Sequence, residues 1–137
     1  MKVLVSGSRD WIDRNSLFAV LEDFNQKYPH TEKTLLSGGC RGADYFAEQF
    51  AQEHKWKIER FLPDWKKYGP AAGPLRNNYM LQQKPDFIFC FPLASSKGTS
   101  QLISQIPKFS PFSKVYIHPI CPPKEALENS LKKGLQS

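Results

Sequence analysis

The chain is short of the residues that mark several common functional classes. Its three cysteines, Cys40, Cys90 and Cys121, are too few and too far apart for a disulfide framework, and none has the Cys-x-x-Cys spacing of a zinc site. They are expected to be thiols, and no metal or cofactor is expected. The three histidines, His30, His54 and His118, are equally scattered with no candidate nucleophile beside them, so there is no Ser-His-Asp reading. No apolar run reaches the length that crosses a bilayer, and the opening Met1-Lys2-Val3-Leu4-Val5-Ser6-Gly7 is too brief for a secretory leader. The expectation is a cytoplasmic protein with no membrane partner. Acidic residues are scarce too, 13 against 19 lysines and arginines, for a formal charge of +6. That balance favours anionic ligands, but much of it sits on scattered lysines such as Lys55, Lys57, Lys66, Lys67, Lys132 and Lys133. A solvated basic surface accounts for it equally well.

What is present is the material of one α/β domain. The 137 residues are 40% hydrophobic and 23% charged, a globular composition with room for a single core. Residues 2–6 form a β-branched apolar run ending at Gly7, followed over 13–27 by Ile12, Leu17, Val20, Leu21 and Phe24 at helical spacing. The order repeats with a strand at Thr34-Leu35-Leu36 and a helix through about His54 that carries Ala43, Phe46, Ala47, Phe50 and Ala51. A third strand is expected at residues 57–61, then a long proline- and glycine-rich loop over 62–74, then a helix with Pro74 in its first turn running to about Gln83. Residues 86–91 are the most apolar run and read as a central strand buried on both faces. A helix from Thr99 to about Ile106 and a last strand at residues 114–117 close the pattern. The domain is expected to span 1–118, with a tail over 119–137 that has room for a short helix from Lys124 to Lys133.

Alternating strands and helices of these lengths imply a Rossmann-like parallel sheet of about five strands, in order 3-2-1-4-5, with helices on both faces. Such sheets bind ligands beyond the carboxyl ends of the strands, where strand order reverses. Three loops there precede helices: Gly7-Ser8-Arg9-Asp10, Ser37 to Asp44, and Ser95-Ser96-Lys97-Gly98-Thr99. Glycine permits close backbone approach, and a helix N-terminus offers free N–H groups to an anion. Neither a GxGxxG fingerprint nor a P-loop is present. Arg9, Arg41 and Arg76 are candidates for bidentate phosphate contacts. For Arg9 an ion pair with Asp10 or Asp13 is the alternative. Asp44, just inside its helix, reads as a dipole partner, a contact to a ligand hydroxyl or a catalytic acid. Trp65 and Tyr68 read as base-stacking aromatics or as packing.

In order along the chain, Gly7-Ser8-Arg9, Gly38 to Asp44, Asp64-Trp65-Lys66-Lys67-Tyr68-Gly69, Ala72 to Met80 and Lys97-Gly98-Thr99 resemble one known pattern. It is that of the YspA-type branch of the SLOG superfamily, to which DprA and the Lonely Guy phosphoribohydrolases also belong. The resemblance spans about residues 1–117. It implies a domain that binds nucleotides or their derivatives, as an enzyme cleaving an N-glycosidic bond in some members and as a sensor of ADP-ribose-like signals in others. Arg76 matches the arginine of an Arg-x-x-x-Met region. Gly98 and Thr99 match the end of a Pro-Gly-Gly-x-Gly-Thr-x-x-Glu motif whose glutamate falls here on Leu102 and whose paired glycines are replaced by Ser95 and Ser96.

Loops and resemblance together give a ligand-binding set of Gly7, Ser8, Arg9, Ser37, Gly38, Gly39, Arg41, Gly42, Asp44, Asp64, Trp65, Arg76, Asn77, Gly98 and Thr99. The expected partner is a nucleotide-like small molecule, bound or sensed. A nucleoside-monophosphate N-glycosidase is the alternative, with Asp44 or Glu48 replacing the missing glutamate, and a nucleic-acid-binding module ranks last. Kinship adds the expectation of a homodimer, with Phe109, Phe112 and the segment Pro119 to Pro123 as candidate surface.

Overall fold

The computed structural model describes residues 1–119, so the expected helix from Lys124 to Lys133, Cys121 and most of the tail lie outside the described residues. Strand β1 (Lys2–Gly7) is followed by α1 (Arg14–Lys27), β2 (Thr34–Ser37), α2 (Ala43–Glu53) and β3 (Lys57–Arg60). Then come α3 (Trp65–Tyr68), a 3-10 turn (Gly69–Ala71), α4 (Ala72–Gln82), β4 (Phe87–Phe91), α5 (Lys97–Phe109) and β5 (Lys114–Ile117). The five strands are all parallel and lie in the order β3-β2-β1-β4-β5 expected from the alternation of elements.

Alternate residues of the central strands divide the core into two halves, as a two-residue side-chain period requires. Val3, Val5, Leu35, Phe89 and Phe91 point into one cluster with Leu17, Leu21 and Phe24 of α1 and Ala47 and Phe50 of α2. Leu4, Leu36, Ile88 and Cys90 point the other way, against Met80 and Leu81 of α4 and Leu102 and Ile106 of α5. The sheet is therefore covered on both faces at its centre. The whole of β5 is exposed. Cys90 is a free thiol in the second cluster, and burial pushes it up to about 12, so it stays protonated.

Local signals explain where elements begin and end. Asp13 caps α1 by accepting the Ser16 N–H at 3.0 Å. The segment 62–74, expected as a loop, is largely helical. The Asp64 carboxylate caps α3 by accepting the Lys67 N–H at 3.1 Å, Gly69 ends it at φ +55°, and α4 starts two residues ahead of Pro74. Arg76 is thus the fifth residue of its helix rather than part of its first turn. The helix expected to stop at Ile106 continues to Phe109 with Pro107 inside it, because a proline this close to the end removes only one intrahelical hydrogen bond. Phe109, a candidate for surface contact, is partly buried against the second cluster, whereas Phe112 is 97% exposed.

The chain packs closely at Gly7, the last residue of β1. A Cβ there would lie 2.5 Å from the Ala43 Cβ and 2.7 Å from the Phe91 carbonyl oxygen. The absence of a side chain lets the N-terminus of α2 seat directly over the β1–β4 pair, where the Ala43 N–H donates to the Ser8 carbonyl at 3.1 Å. Two of the atoms in the way belong to a strand and a helix start that cannot turn aside, so Gly7→Ala is expected to cost about 1–3 kcal/mol. Urea unfolding checks this, with a lower midpoint at unchanged slope as the expected result.

Candidate functional site

The reversal of strand order between β1 and β4 opens a cleft of about 240 Å³ at the carboxyl ends of the strands. Its walls come from the loop after β1, the start of α2, the middle of α4 and the start of α5. Of the expected set, the fold brings Gly7, Ser8, Arg9, Asp44, Arg76, Asn77, Gly98 and Thr99 together around this space.

The α5 wall presents unpaired donors to the cleft. Ser96, the residue before the helix, makes no side-chain cap, because its hydroxyl accepts the Leu93 N–H at 2.8 Å. Neither the Gly98 nor the Thr99 N–H has a partner among the described residues, and the same holds for the Thr99 hydroxyl, although Thr99 is only 3% exposed. First-turn donors of this kind carry the positive end of the helix dipole. Asn77 fixes the wall in place. Its amide donates to the Gly98 carbonyl at 3.3 Å and to Gln101 Oε1 at 3.1 Å, while its own oxygen accepts Arg76 Nε at 2.9 Å.

Arg76 spans the gap between α4 and the loops after β2 and β3. Its Nη1 donates to the Gly38 carbonyl at 2.8 Å and to the Phe61 carbonyl at 3.4 Å. A Cβ at Gly38 would meet that nitrogen at 2.6 Å, so Gly38 gives Arg76 its seat. Among the described residues Arg76 forms no ion pair, and its Nη2 has no partner. Arg9 is exposed and likewise unpaired, because Asp13 is occupied as the α1 cap and Asp10 pairs with Arg41 at 3.2 Å.

Opposite these cations stands Asp44, 6% exposed. Its Oδ2 accepts the Cys40 N–H at 3.3 Å, and its other oxygen has no partner among the described residues. Burial pushes its carboxyl from an ordinary 3.8 up to about 7, a rise aided by Glu48 and opposed by the Cys40 N–H, Arg76 and Arg9. The site therefore holds a carboxyl that is substantially protonated at neutral pH, beside two cations without acidic partners.

The other expected residues stand elsewhere. Ser37 is the buried last residue of β2; its hydroxyl donates to Glu48 Oε2 at 3.3 Å and accepts the Gly39 N–H at 3.1 Å. Glu48 is held there and by an ion pair with Arg60, one turn below the cleft. Gly39 and Gly42 shape the loop with φ of +71° and +77°, and a Cβ at Gly42 would strike the carbonyl oxygens of Ser8 and Arg9. Arg41 lies outside at the rim. Asp64 caps α3 and Trp65 is its first residue, half exposed and packed toward Gly73. Leu102, at the position of the motif glutamate, is wholly buried in the second core cluster.

Cleft residues outside the expected set include Ser6, Cys40 and Met80. Met80 was detectable as the residue four after Arg76, on the same helix face. Nothing in the sequence distinguished Cys40, a free thiol with Nη1 of Arg76 4.0 Å from its sulfur. Among the described residues no group of three or more His, Cys, Asp or Glu side chains could hold a metal ion, and no helix is long and apolar enough to cross a membrane.

A model of the YspA, cpYpsA-related SLOG family matches residues 1–68. The gene 61 protein of Mycobacterium phage D29 is 33% identical over 112 residues, covering 78% of this chain and 89% of that protein. The chain belongs to the YspA, cpYpsA-related SLOG family. The matched residues run from β1 to the end of α3 and so contain the first two loops of the cleft of this SLOG domain. Among solved structures, DNA processing protein A (DprA) from Streptococcus pneumoniae aligns at a TM-score of 0.67 over 97% of this chain. This chain spans 56% of the DprA chain, and at 15% identity the likeness is one of fold.

The raised Asp44 carboxyl makes stability depend on pH. Between about 4 and about 7 the folded carboxyl keeps a proton that the unfolded one has released, so stability falls as pH rises through that window and this contribution levels off above it. Asp44→Asn is expected to remove the trend and to be more stable than the wild type above pH 7, the gap closing toward pH 4. Urea unfolding at several pH values checks it. Parallel profiles for the two proteins would be the contrary result.

Proposed function

We propose that this SLOG domain binds a phosphate-bearing, nucleotide-derived small molecule, a nucleoside monophosphate or an ADP-ribose-like compound, with the phosphate at the start of α5. The observation that carries this reading is the convergence, on one cleft, of the free Gly98 and Thr99 N–H groups with two arginines that have no acidic partner among the described residues. A phosphate dianion answers both features, since it supplies acceptors for the helix donors and charge for the guanidinium groups. A protonated Asp44 strengthens the reading, because a neutral carboxyl can donate to a ligand oxygen where a carboxylate would repel it. Family membership supports nucleotide-related ligands in general. The DNA role in the name of DprA comes with a likeness of fold alone and adds no support for DNA here.

The test is thermal unfolding of the full chain with ribose 5-phosphate, AMP, ADP-ribose and unphosphorylated adenosine. A ligand at 100 times its Kd stabilises the native state by about 2.7 kcal/mol, which is several degrees in Tm. Phosphorylated compounds are expected to raise Tm and adenosine to do so least. Arg9→Ala, which breaks no tether of the fold, should weaken phosphate-ester binding about tenfold or more, the scale of one charge-assisted hydrogen bond. Equal shifts with adenosine and AMP, or none with any compound, would sink the assignment.

A second reading, hydrolysis of a nucleoside monophosphate, is favoured by one observation, a carboxyl poised near neutral pH inside the cleft. In that reaction the N-glycosidic bond breaks, Asp44 passes its proton to the departing base, and water adds to the anomeric carbon and returns a proton to Asp44. Free base and ribose 5-phosphate result. Glu48 is a poor candidate for this role, being tied to Ser37 and Arg60 away from the cleft. Base release from AMP that disappears in Asp44→Asn is the expected result of this reading, and release unaffected by that change contradicts it.

A further inference from the structure

Arg76 has a second surround. Besides the phosphate cleft, it lines a hollow of about 690 Å³ on the other side of α4, between that helix and the segment running from Phe61 to Asp64. The helix wall alternates between the two spaces, Asn77 facing the cleft and Asn78 the hollow. The hollow is aromatic. Phe61 and Tyr79 meet edge to face at 5.6 Å, Tyr68 closes the far side, and Tyr68, Leu75 and Tyr79 remain 45%, 45% and 56% exposed.

We propose that this hollow is the base-recognition half of the ligand site, and that a purine nucleotide with its phosphate at α5 passes its sugar across Arg76 and lays its base on Tyr79 and Tyr68. The proposal rests on the phosphate reading of the cleft and adds the class of base and the residues that select it. Three observations carry it. The cleft, at about 240 Å³, is smaller than the roughly 300 Å³ at which pockets begin to enclose whole small-molecule ligands. A phosphorylated sugar fits it, and an attached purine must lie outside. Arg76 lines both the hollow and the cleft, and its side chain is held by the Gly38 and Phe61 carbonyls and by Asn77, so the two spaces keep a fixed relation. Finally, the hollow offers what a purine needs: ring faces for stacking, and on its rim the Gln82 side-chain amide, which makes no hydrogen bond among the described residues. A free amide of this type can pair two-pronged with the amino group and ring nitrogen on one edge of adenine. Stacking on an aromatic ring adds affinity whatever the base.

The experiment is calorimetric titration of the full chain, wild type, Tyr79→Ala, Tyr79→Phe and Gln82→Ala, with ribose 5-phosphate, AMP and UMP, together with sedimentation of each variant. The wild type is expected to bind AMP at least tenfold more tightly than ribose 5-phosphate. Tyr79→Ala should lose most of that margin while leaving ribose 5-phosphate within twofold, Tyr79→Phe should keep it, and Gln82→Ala should narrow the preference for AMP over UMP. Tyr79 is a surface residue, so both variants are expected to fold. If ribose 5-phosphate binds and AMP binds no better, the base site is overturned and the phosphate site stands. If no phosphate ester binds, both fall together. A Tyr79→Ala protein with unchanged AMP affinity that sediments as a smaller species than the wild type overturns the proposal in favour of a second copy as the occupant of the hollow.

Discussion

The Arg76 guanidinium is the tie on which the site depends. One nitrogen donates to the Gly38 carbonyl after β2 and to the Phe61 carbonyl after β3, and a second donates to Asn77, which in turn holds the carbonyl of Gly98 at the start of α5. Four segments far apart in sequence are thereby held around one charge. Its partners among the described residues are all neutral, three oxygens and, at 4.0 Å, the Cys40 sulfur. These contacts through Nε and Nη1 hold the side chain without cancelling its charge, so the cation keeps its field in a cleft whose walls lower the local dielectric. An acidic partner would have secured the side chain as firmly and removed the attraction for an anionic ligand.

Asp44 completes that balance. It is the one acid deep in the cleft among the described residues, and burial raises its carboxyl to about 7 instead of letting it pair with the nearby arginines. Asp10, the other acid of the cleft, is at the rim and is matched by Arg41. The net result is a pocket with positive charge at its centre and a carboxyl that can donate as well as accept. The two proposed readings, ligand binding and hydrolysis, differ in whether the Asp44 proton stays on the carboxyl or moves to a departing base.

The glycines show how far sequence reading reached. Gly7, Gly39 and Gly42 were expected to be loop residues that approach a ligand. Gly7 does line the cleft, but its lack of a side chain is required by Ala43 and Phe91, and Gly42 faces the carbonyls of Ser8 and Arg9. Gly38 is required by Arg76. Of the glycines in these loops, Gly98 alone faces open space, and its N–H has no partner among the described residues. A glycine that packs and a glycine that binds look alike in sequence, because both are defined by what occupies the space a Cβ would fill. The same limit applies to the segment 62–74. Proline and glycine marked it as a loop, while the cap at Asp64 made it helical and created the aromatic hollow beside α4.

The parallel sheet, its strand order and the three loops at its carboxyl end were legible along the chain, because hydrophobic period and element order are local properties that constrain topology strongly. The sequence also picked out Arg9, Asp44, Arg76, Asn77, Gly98 and Thr99. Which charges are left over emerges only from the packed fold. Arg41 is spent on Asp10, Glu48 on Arg60 and Ser37, and Leu102 on the core, while Arg9 and Arg76 have no acidic partner among the described residues and burial raises the Asp44 carboxyl to about 7. Pairing and desolvation depend on distances between residues 11 to 38 positions apart in the chain, and those distances exist only once the sheet has brought its loops together.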